Sequence, residues 1–264
     1  QVVAGLALTG TAAKNSINNS SATAATLTIN PLTGNSFAGI LKGNLSLTKT
    51  GTSIQTLAGA NTYSGNTTIS SGTLTLGANN VFPDTTNISI GAATLNATTS
   101  TDTAGTLNVT AAATINLGSG AALAFANSSA VSWAGTLNIT GTFVSGSSLR
   151  FGTTSTALTA TQLSKISATG FTGFALNASG FLTATVANTY ASWAATNASS
   201  TSPIQDQDND GVSNAVEYIL GGSFLTKDLS KLPSTSTSGG NILYTFQRAQ
   251  NSINASTALK IGRA

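Results

Sequence analysis

From about Thr26 to Val186 the chain alternates apolar and polar residues in short runs, separated by Gly, Asn, Ser and Thr. Leu45-Ser46-Leu47-Thr48, Thr73-Leu74-Thr75-Leu76, Asn87-Ile88-Ser89-Ile90 and Thr106-Leu107-Asn108-Val109 are of this kind. So are Thr114-Ile115-Asn116-Leu117, Ala122-Leu123-Ala124-Phe125 and Thr136-Leu137-Asn138-Ile139. A period of two puts Leu, Ile and Val on one face and Thr, Ser and Asn on the other, which predicts half-buried strands. A Gly-Thr-Leu start recurs at Gly72, Gly105 and Gly135. Many short strands fit a sandwich, a barrel or a solenoid. Self-similar motifs and small outward residues along the whole length favour the solenoid, whose rungs contact only their neighbours and whose ends are open β edges.

The flanks break this pattern. Val2, Ala4, Leu6 and Leu8 share one face of an extended segment. Residues 1–13 read either as the first, capping strand of the solenoid or as a donor strand that completes a neighbouring subunit. Tyr190, Trp193 and Ala194 have helical spacing, as do Val216, Ile219 and Leu220, and Gly221-Gly222 stops the second helix. Strand alternation returns over Asn241–Arg248 with Ile242, Tyr244 and Phe246, and more weakly over Thr257–Ile261. The predicted domains are a solenoid over 1–187, short helices with an acidic loop over 188–222, and a β element over 223–264.

Composition narrows the chemistry. Only 6% of the 264 residues are charged, against about 25% in an ordinary globular protein. The net charge of +3 comes from ten basic residues dispersed from Lys14 to Arg263, so no basic stripe offers itself to nucleic acid. With no His and no Cys, Ser-His and Cys-His catalysis, disulfides and the common zinc sites are excluded. No apolar run approaches the roughly 18 residues of a membrane span. The start at Gln1 reads as a mature end left by a removed signal peptide, which predicts an exported, extracellular or cell-surface protein.

Four of the seven acidic residues lie between Asp206 and Glu217. Their order fits the calcium template D-x-[DN]-x-[DN]-G-x5-E. Asp206, Asp208 and Asp210 supply hard oxygens at loop positions 1, 3 and 5, and Gly211 permits the turn. Val212 offers its carbonyl, Asn214 stands at position 9, and Glu217 closes the site. Without a cation these carboxylates repel one another. The expected cofactor is Ca2+, in a structural role. No carboxylate pair recurs at rung spacing among Asp84, Asp102 and Asp228, so a polysaccharide-degrading enzyme is not expected. Thr26-Leu-Thr28, Thr48-Lys-Thr50 and Thr73-Leu-Thr75 raise ice binding, which an even outward Thr array would favour. The dispersed aromatics give no visible glycan platform.

Two stretches resemble known families. Leu47-x-Lys49-x-Gly51, Leu57-x-Gly59-x-Asn61-Thr62-Tyr63-x-Gly65, Thr68-Ile69 and Gly72-Thr73-Leu74 resemble the autotransporter-associated β-strand repeat, or passenger-associated transport repeat. Ser53-Ile54 stands where that family usually has Gly-Thr. The resemblance implies a right-handed β-solenoid from large bacterial surface proteins that act as adhesins or scaffolds. Tyr190 to Trp193 with Asp206 to Gly221 looks like the C-terminal region of large exported planctomycete and verrucomicrobial proteins, and the loop looks like dockerin and thrombospondin type 3 calcium loops. The expectation is an all-β fold: a right-handed parallel β-solenoid, then a short calcium-loop helical segment, then a small C-terminal β element. The expected function is a self-assembling extracellular filament or surface layer, a head-to-tail homopolymer with itself as partner. The alternative is a monomeric adhesin segment binding glycan or a cell surface.

Overall fold

The computed structural model describes residues 1–8, 15–187, 190, 194, 202–223, 225–227, 229–232, 234–238 and 241–245. The chain divides into two compact units, Gln1–Thr185 and Val186–Ala264. The first is a parallel β-solenoid of about six turns. Its strands are β1 (Val2–Val3), β2 (Ser16–Asn19), β3 (Ala25–Ile29), β4 (Asn35–Phe37), β5 (Ile40–Gly43), β6 (Leu45–Lys49), β7 (Ile54–Leu57), β8 (Thr62–Tyr63) and β9 (Thr67–Leu76). They continue as β10 (Ile88–Asn96), β11 (Thr101–Ala104), β12 (Leu107–Val109), β13 (Ala113–Leu117), β14 (Ala122–Phe125), β15 (Leu137–Gly141), β16 (Leu149–Phe151) and β17 (Ile166–Ala168).

Three stacks of strands form the walls. The first carries the inward columns Leu27–Leu47–Thr67–Ile88–Leu107 and Ile29–Lys49–Ile69–Ile90–Val109. The second carries Gln55–Leu74–Leu95–Ile115–Ile139–Ala168. The third carries Ala104–Phe125–Phe151 at its later turns. Strands β9 and β10 run through the corner between the first two walls, which joins these into one 11-stranded sheet. Gly72 lies in that corner at φ +67°, where a Cβ would overlap the Gly51 carbonyl; a side chain there would be strained as well as crowded. Bonds between successive turns give the coil length. It is 20 residues from Leu41 to Asn61, 24 from Asn116 to Thr140 and 29 from Asn138 to Ser167. The later turns are longer because loops are inserted between their strands. One insertion forms a helix that the alternation did not predict, α1 (Ala160–Leu163). A capping box between Thr159 and Gln162 starts it, and the Gln162 amide donates to Ser128 and Val131 carbonyls at 2.8 Å.

Polar side chains inside the solenoid stand in for peptide groups. Gln55 is fully buried, and its amide accepts from Leu6 N–H and donates to Leu6 C=O, both at 2.9 Å. This pairs the Leu6 backbone with the solenoid at its first turn, where Val2 and Val3 also pair in parallel with Thr28 and Ile29. Asn61 accepts from Leu41 N–H at 2.8 Å and donates to Val81 C=O at 2.7 Å. Asp102 accepts from Val81 N–H at 2.6 Å and Phe82 N–H at 3.3 Å. Lys49 is fully buried between Ile29 and Ile69. Its ammonium donates to the carbonyls of Thr50, Gly51 and Ser71 at 2.7, 2.9 and 3.2 Å. Burial pulls its pKa below the usual lysine value. On the outside, Asn96 and Asn116 amides bond to each other at 3.0 Å, and Thr140 donates to Asn116 at 2.9 Å.

The last described part of this unit is a two-stranded sheet, β18 (Phe171–Leu176) with β19 (Leu182–Val186). Phe181 bridges Arg150 in antiparallel fashion, and Phe151 N–H donates to Gly180 C=O at 2.8 Å, so this hairpin covers the outer edge of β16.

In the second unit, Tyr190 and Ala194 are helical, and α2 (Asn214–Leu220) ends at Gly221 in the left-handed conformation, φ 74°. Strands β20 (Ser234–Ser238) and β21 (Asn241–Thr245) form an antiparallel hairpin. Trp193, Phe246, Arg248 and the strand expected over Thr257–Ile261 lie outside the described residues.

Two measurements test this interior. Lys49→Ala removes a core stem and the ammonium bonds to three carbonyls, one of which, Gly51 C=O, also accepts from the Ser71 hydroxyl. It should cost about 3 kcal/mol in urea unfolding, with Lys49→Met, which keeps the stem, costing about half as much. An unchanged midpoint for Lys49→Ala would mean that the corner holds without its ammonium. Burial pushes the Asp102 carboxyl up to about 6, against the opposing Val81, Phe82 and Thr103 N–H groups and with a contribution from the Asp84 charge. The folded state therefore binds this proton more tightly than the unfolded chain. That stabilisation is complete below pH of about 4 and is lost as pH rises through about 6, a difference of about 2–3 kcal/mol. Urea midpoints of unit Gln1–Thr185 should fall across this window, and Asp102→Asn should flatten the fall.

Candidate metal centre

The acidic loop precedes and enters α2, and its shape is set by its own side chains. Asp206 accepts from Gly211 N–H at 2.8 Å and from Asp210 N–H at 3.2 Å. Asp210 accepts from Val212 N–H at 2.8 Å. The backbone turns through positive φ at Asn209, 55°, and at Gly211, 92°. Asn214 N–H then donates to Gln205 C=O at 2.8 Å, and Ala215 N–H to Pro203 C=O at 3.1 Å, which closes the loop onto the helix start.

The structure brings Asp206, Asp208 and Asp210 together, with an oxygen from each inside a mutual separation of 4.8 Å. Glu217 lies outside that trio. It is buried on α2, as is Asn214 at its first position. Val212 contributes its N–H to the loop as described above. Both carboxylate oxygens of Asp208 and the side-chain oxygen of Asn214 are buried without a hydrogen-bond donor. Buried acceptors of this kind are costly unless something positive meets them.

The aspartates are electrostatically unequal. Desolvation raises Asp206, but the Gly211, Asp210 and Asn209 N–H groups outweigh it and hold the carboxyl below its usual range. Desolvation raises Asp208, and the neighbouring Asp210 charge adds to it, so the net shift is upward. Asp206 is thus the charge already satisfied by the loop, and Asp208 the one that gains most from a cation. Oxygen donors only, several of them anionic, suit a hard cation such as Ca2+ rather than a soft transition metal.

Residues outside the template support the loop. Tyr190 donates its hydroxyl to Ser202 C=O at 3.1 Å and stacks edge-on against Tyr218, with ring centroids 5.8 Å apart. Burial, with the nearby Glu217 charge, raises the Tyr190 pKa. The helical spacing of Tyr190 and Ala194 carried a signal for this packing; nothing in the sequence pointed Tyr190 to Ser202.

Comparison with known proteins bears on the solenoid. Residues 47–76 match the passenger-associated-transport-repeat family. No curated protein and no solved structure matches the chain. The matched stretch runs from β6 to the end of β9, and its signature residues are those that shape one turn. Leu47, Leu57, Ile69 and Leu74 fill the interior. Lys49 caps the corner, Asn61 bridges two turns, and the buried Tyr63 hydroxyl bonds Thr67 at 2.5 Å. Burial pushes that hydroxyl up to about 12. Ser53 donates to Leu32 C=O at 2.9 Å, so a hydroxyl-bonded turn stands at the position of the usual Gly. A passenger-type repeat on a parallel solenoid fits an exported surface protein.

Asp206→Ala removes the acceptor for two loop amides. Hydrogen exchange at Gly211 and Asp210 should accelerate by at least about tenfold, as expected for the loss of a charge-assisted bond. Unchanged exchange would mean that the loop is held by other groups.

Proposed function

We propose that the chain is a structural element of an extracellular assembly, in which solenoids associate head to tail through their β edges and Ca2+ stiffens the second unit. The observation that carries this reading is the order of the 11-stranded sheet. It begins at β1 and ends at β17, and among the described residues no strand pairs the far edge of either. Unpaired parallel edges are templates for another chain. Very low charge density weakens the repulsion that would keep copies apart. A contact between unlike ends does not close, and it propagates as a filament.

Asp206, Asp208 and Asp210 would hold the cation, with Asn214 and Glu217 closing around it from α2 and Val212 through its carbonyl. The ion supplies charge neutralisation in this role and no chemistry. No catalytic step is proposed. The outward Thr columns of the second wall are interrupted by Asn96, Asn116 and Asn138, and all three are bonded within the ladder. This disfavours ice binding, which needs an even array.

Electron microscopy and sedimentation of the purified chain, with Ca2+ and with chelator, test the reading. Fibres or long oligomers that fray with chelator, and that weaken in Asp208→Ala, are expected. Monodisperse rods in both conditions would remove the assembly claim. Intact fibres in chelator would remove the role of calcium alone.

A further inference from the structure

We infer that the third wall of the solenoid carries a binding trough for a carboxylate-bearing saccharide, read by Arg150 and Phe181. The inference is independent of the filament reading and of the metal loop.

Outward residues line up across this wall by strand register. Thr103 pairs with Ala124, Ala124 with Arg150, and Arg150 with Phe181. Thr101 pairs with Ala122 one step along. The two alanines leave a low floor between a polar wall of Thr101 and Thr103 and a taller wall of Arg150 and Phe181. Together they border a cavity of about 270 Å³. Three strands and the Phe181 bridge, at about 4.8 Å spacing, make the row from Thr103 to Phe181 about 14 Å long, room for one or two pyranose rings.

The charges of the wall select the ligand class. In this unit Lys49 and Lys165 spend their ammonium groups on backbone carbonyls, those of Thr50, Gly51 and Ser71 and that of Trp133. Arg150 instead lies over the Phe181 ring, 5.8 Å from its centroid, and no carboxylate pairs with it among the described residues. A contact with a ring occupies none of the guanidinium N–H groups, and their fork matches a carboxylate. Asp102 also borders the cavity, but its oxygens are turned to the Val81 and Phe82 N–H groups and it is 5% exposed. An aromatic ring beside a cation, facing hydroxyls across an apolar floor, gives each part of a uronic acid a partner. The ring packs the C–H face, the guanidinium takes the carboxylate, and Thr101 and Thr103 reach the sugar hydroxyls. Sequence reading passed over this site because its aromatic and its cation are 31 positions apart, from Arg150 to Phe181. The hairpin β18–β19 brings them together.

Calorimetry or ligand-observed NMR on the full chain, with digalacturonate as probe and its methyl ester as control, tests the proposal. The acid should bind at least about tenfold more tightly than the ester, because one charge-assisted fork is worth about that much. Arg150→Gln should remove that preference, and Arg150→Lys should restore only part of it. Ala124→Leu, which fills the floor and leaves the guanidinium in place, should weaken binding of acid and ester alike, with the circular dichroism of the solenoid unchanged. Equal affinity for acid and ester, undiminished binding in Ala124→Leu, no binding at about 10 mM digalacturonate, or displacement by an equal concentration of sulfate would each overturn it.

Discussion

The solenoid depends on one constraint: the chain must come back under itself so that an inward side chain lands on an inward side chain. Parallel pairing fixes the register, and a slip of one residue would turn every Leu and Ile to solvent. Leu27, Leu47, Thr67, Ile88 and Leu107 fall in one column because each turn returns to that register. The corner glycine Gly72 and the buried Lys49 serve this return. One allows backbone to pass close to backbone, and the other gathers three carbonyls around its ammonium. Where the coil lengthens, α1 and the Gln162 amide fill the added space.

Charge is rare in this protein, and three of the charged side chains in the solenoid are tied to the backbone. Lys49, Lys165 and Asp102 each satisfy peptide groups and not an opposite charge. A buried ion without a counter-ion is tolerable only when such dipoles surround it. Arg150 is different, because its guanidinium lies over an aromatic ring at the rim of a shallow trough. That contrast is the reason to regard Arg150 as available to a ligand and Lys49 as part of the scaffold.

The second unit solves the opposite problem. It gathers carboxylates where the first unit disperses charge. The loop uses its own amides to hold the Asp206 carboxyl down, while desolvation and the Asp210 charge raise Asp208. The Tyr190–Tyr218 contact and the bond to Ser202 brace that loop from outside the template.

Much of the wall structure was legible in the sequence. Period-two runs such as Thr114-Ile115-Asn116-Leu117 need only local geometry to reveal a strand and its buried face, and recurrent Gly-Thr-Leu starts reveal stacked turns. The acidic template was legible for the same reason, since its spacing is local and its residues are otherwise scarce. The joining of β9 and β10 through a corner, the helix α1 and the roles of Gln55 and Asn61 were not, because each depends on a partner about a turn or more away. Lys49 reads as an outlier in an apolar column until three carbonyls are found around it. The sequence by itself thus determined which residues are strands, which face is buried and where acidic oxygen donors cluster. Only the tertiary structure decided which residues become neighbours across turns, as Arg150 and Phe181 do, because parallel register and an inserted hairpin set those distances and local periodicity does not.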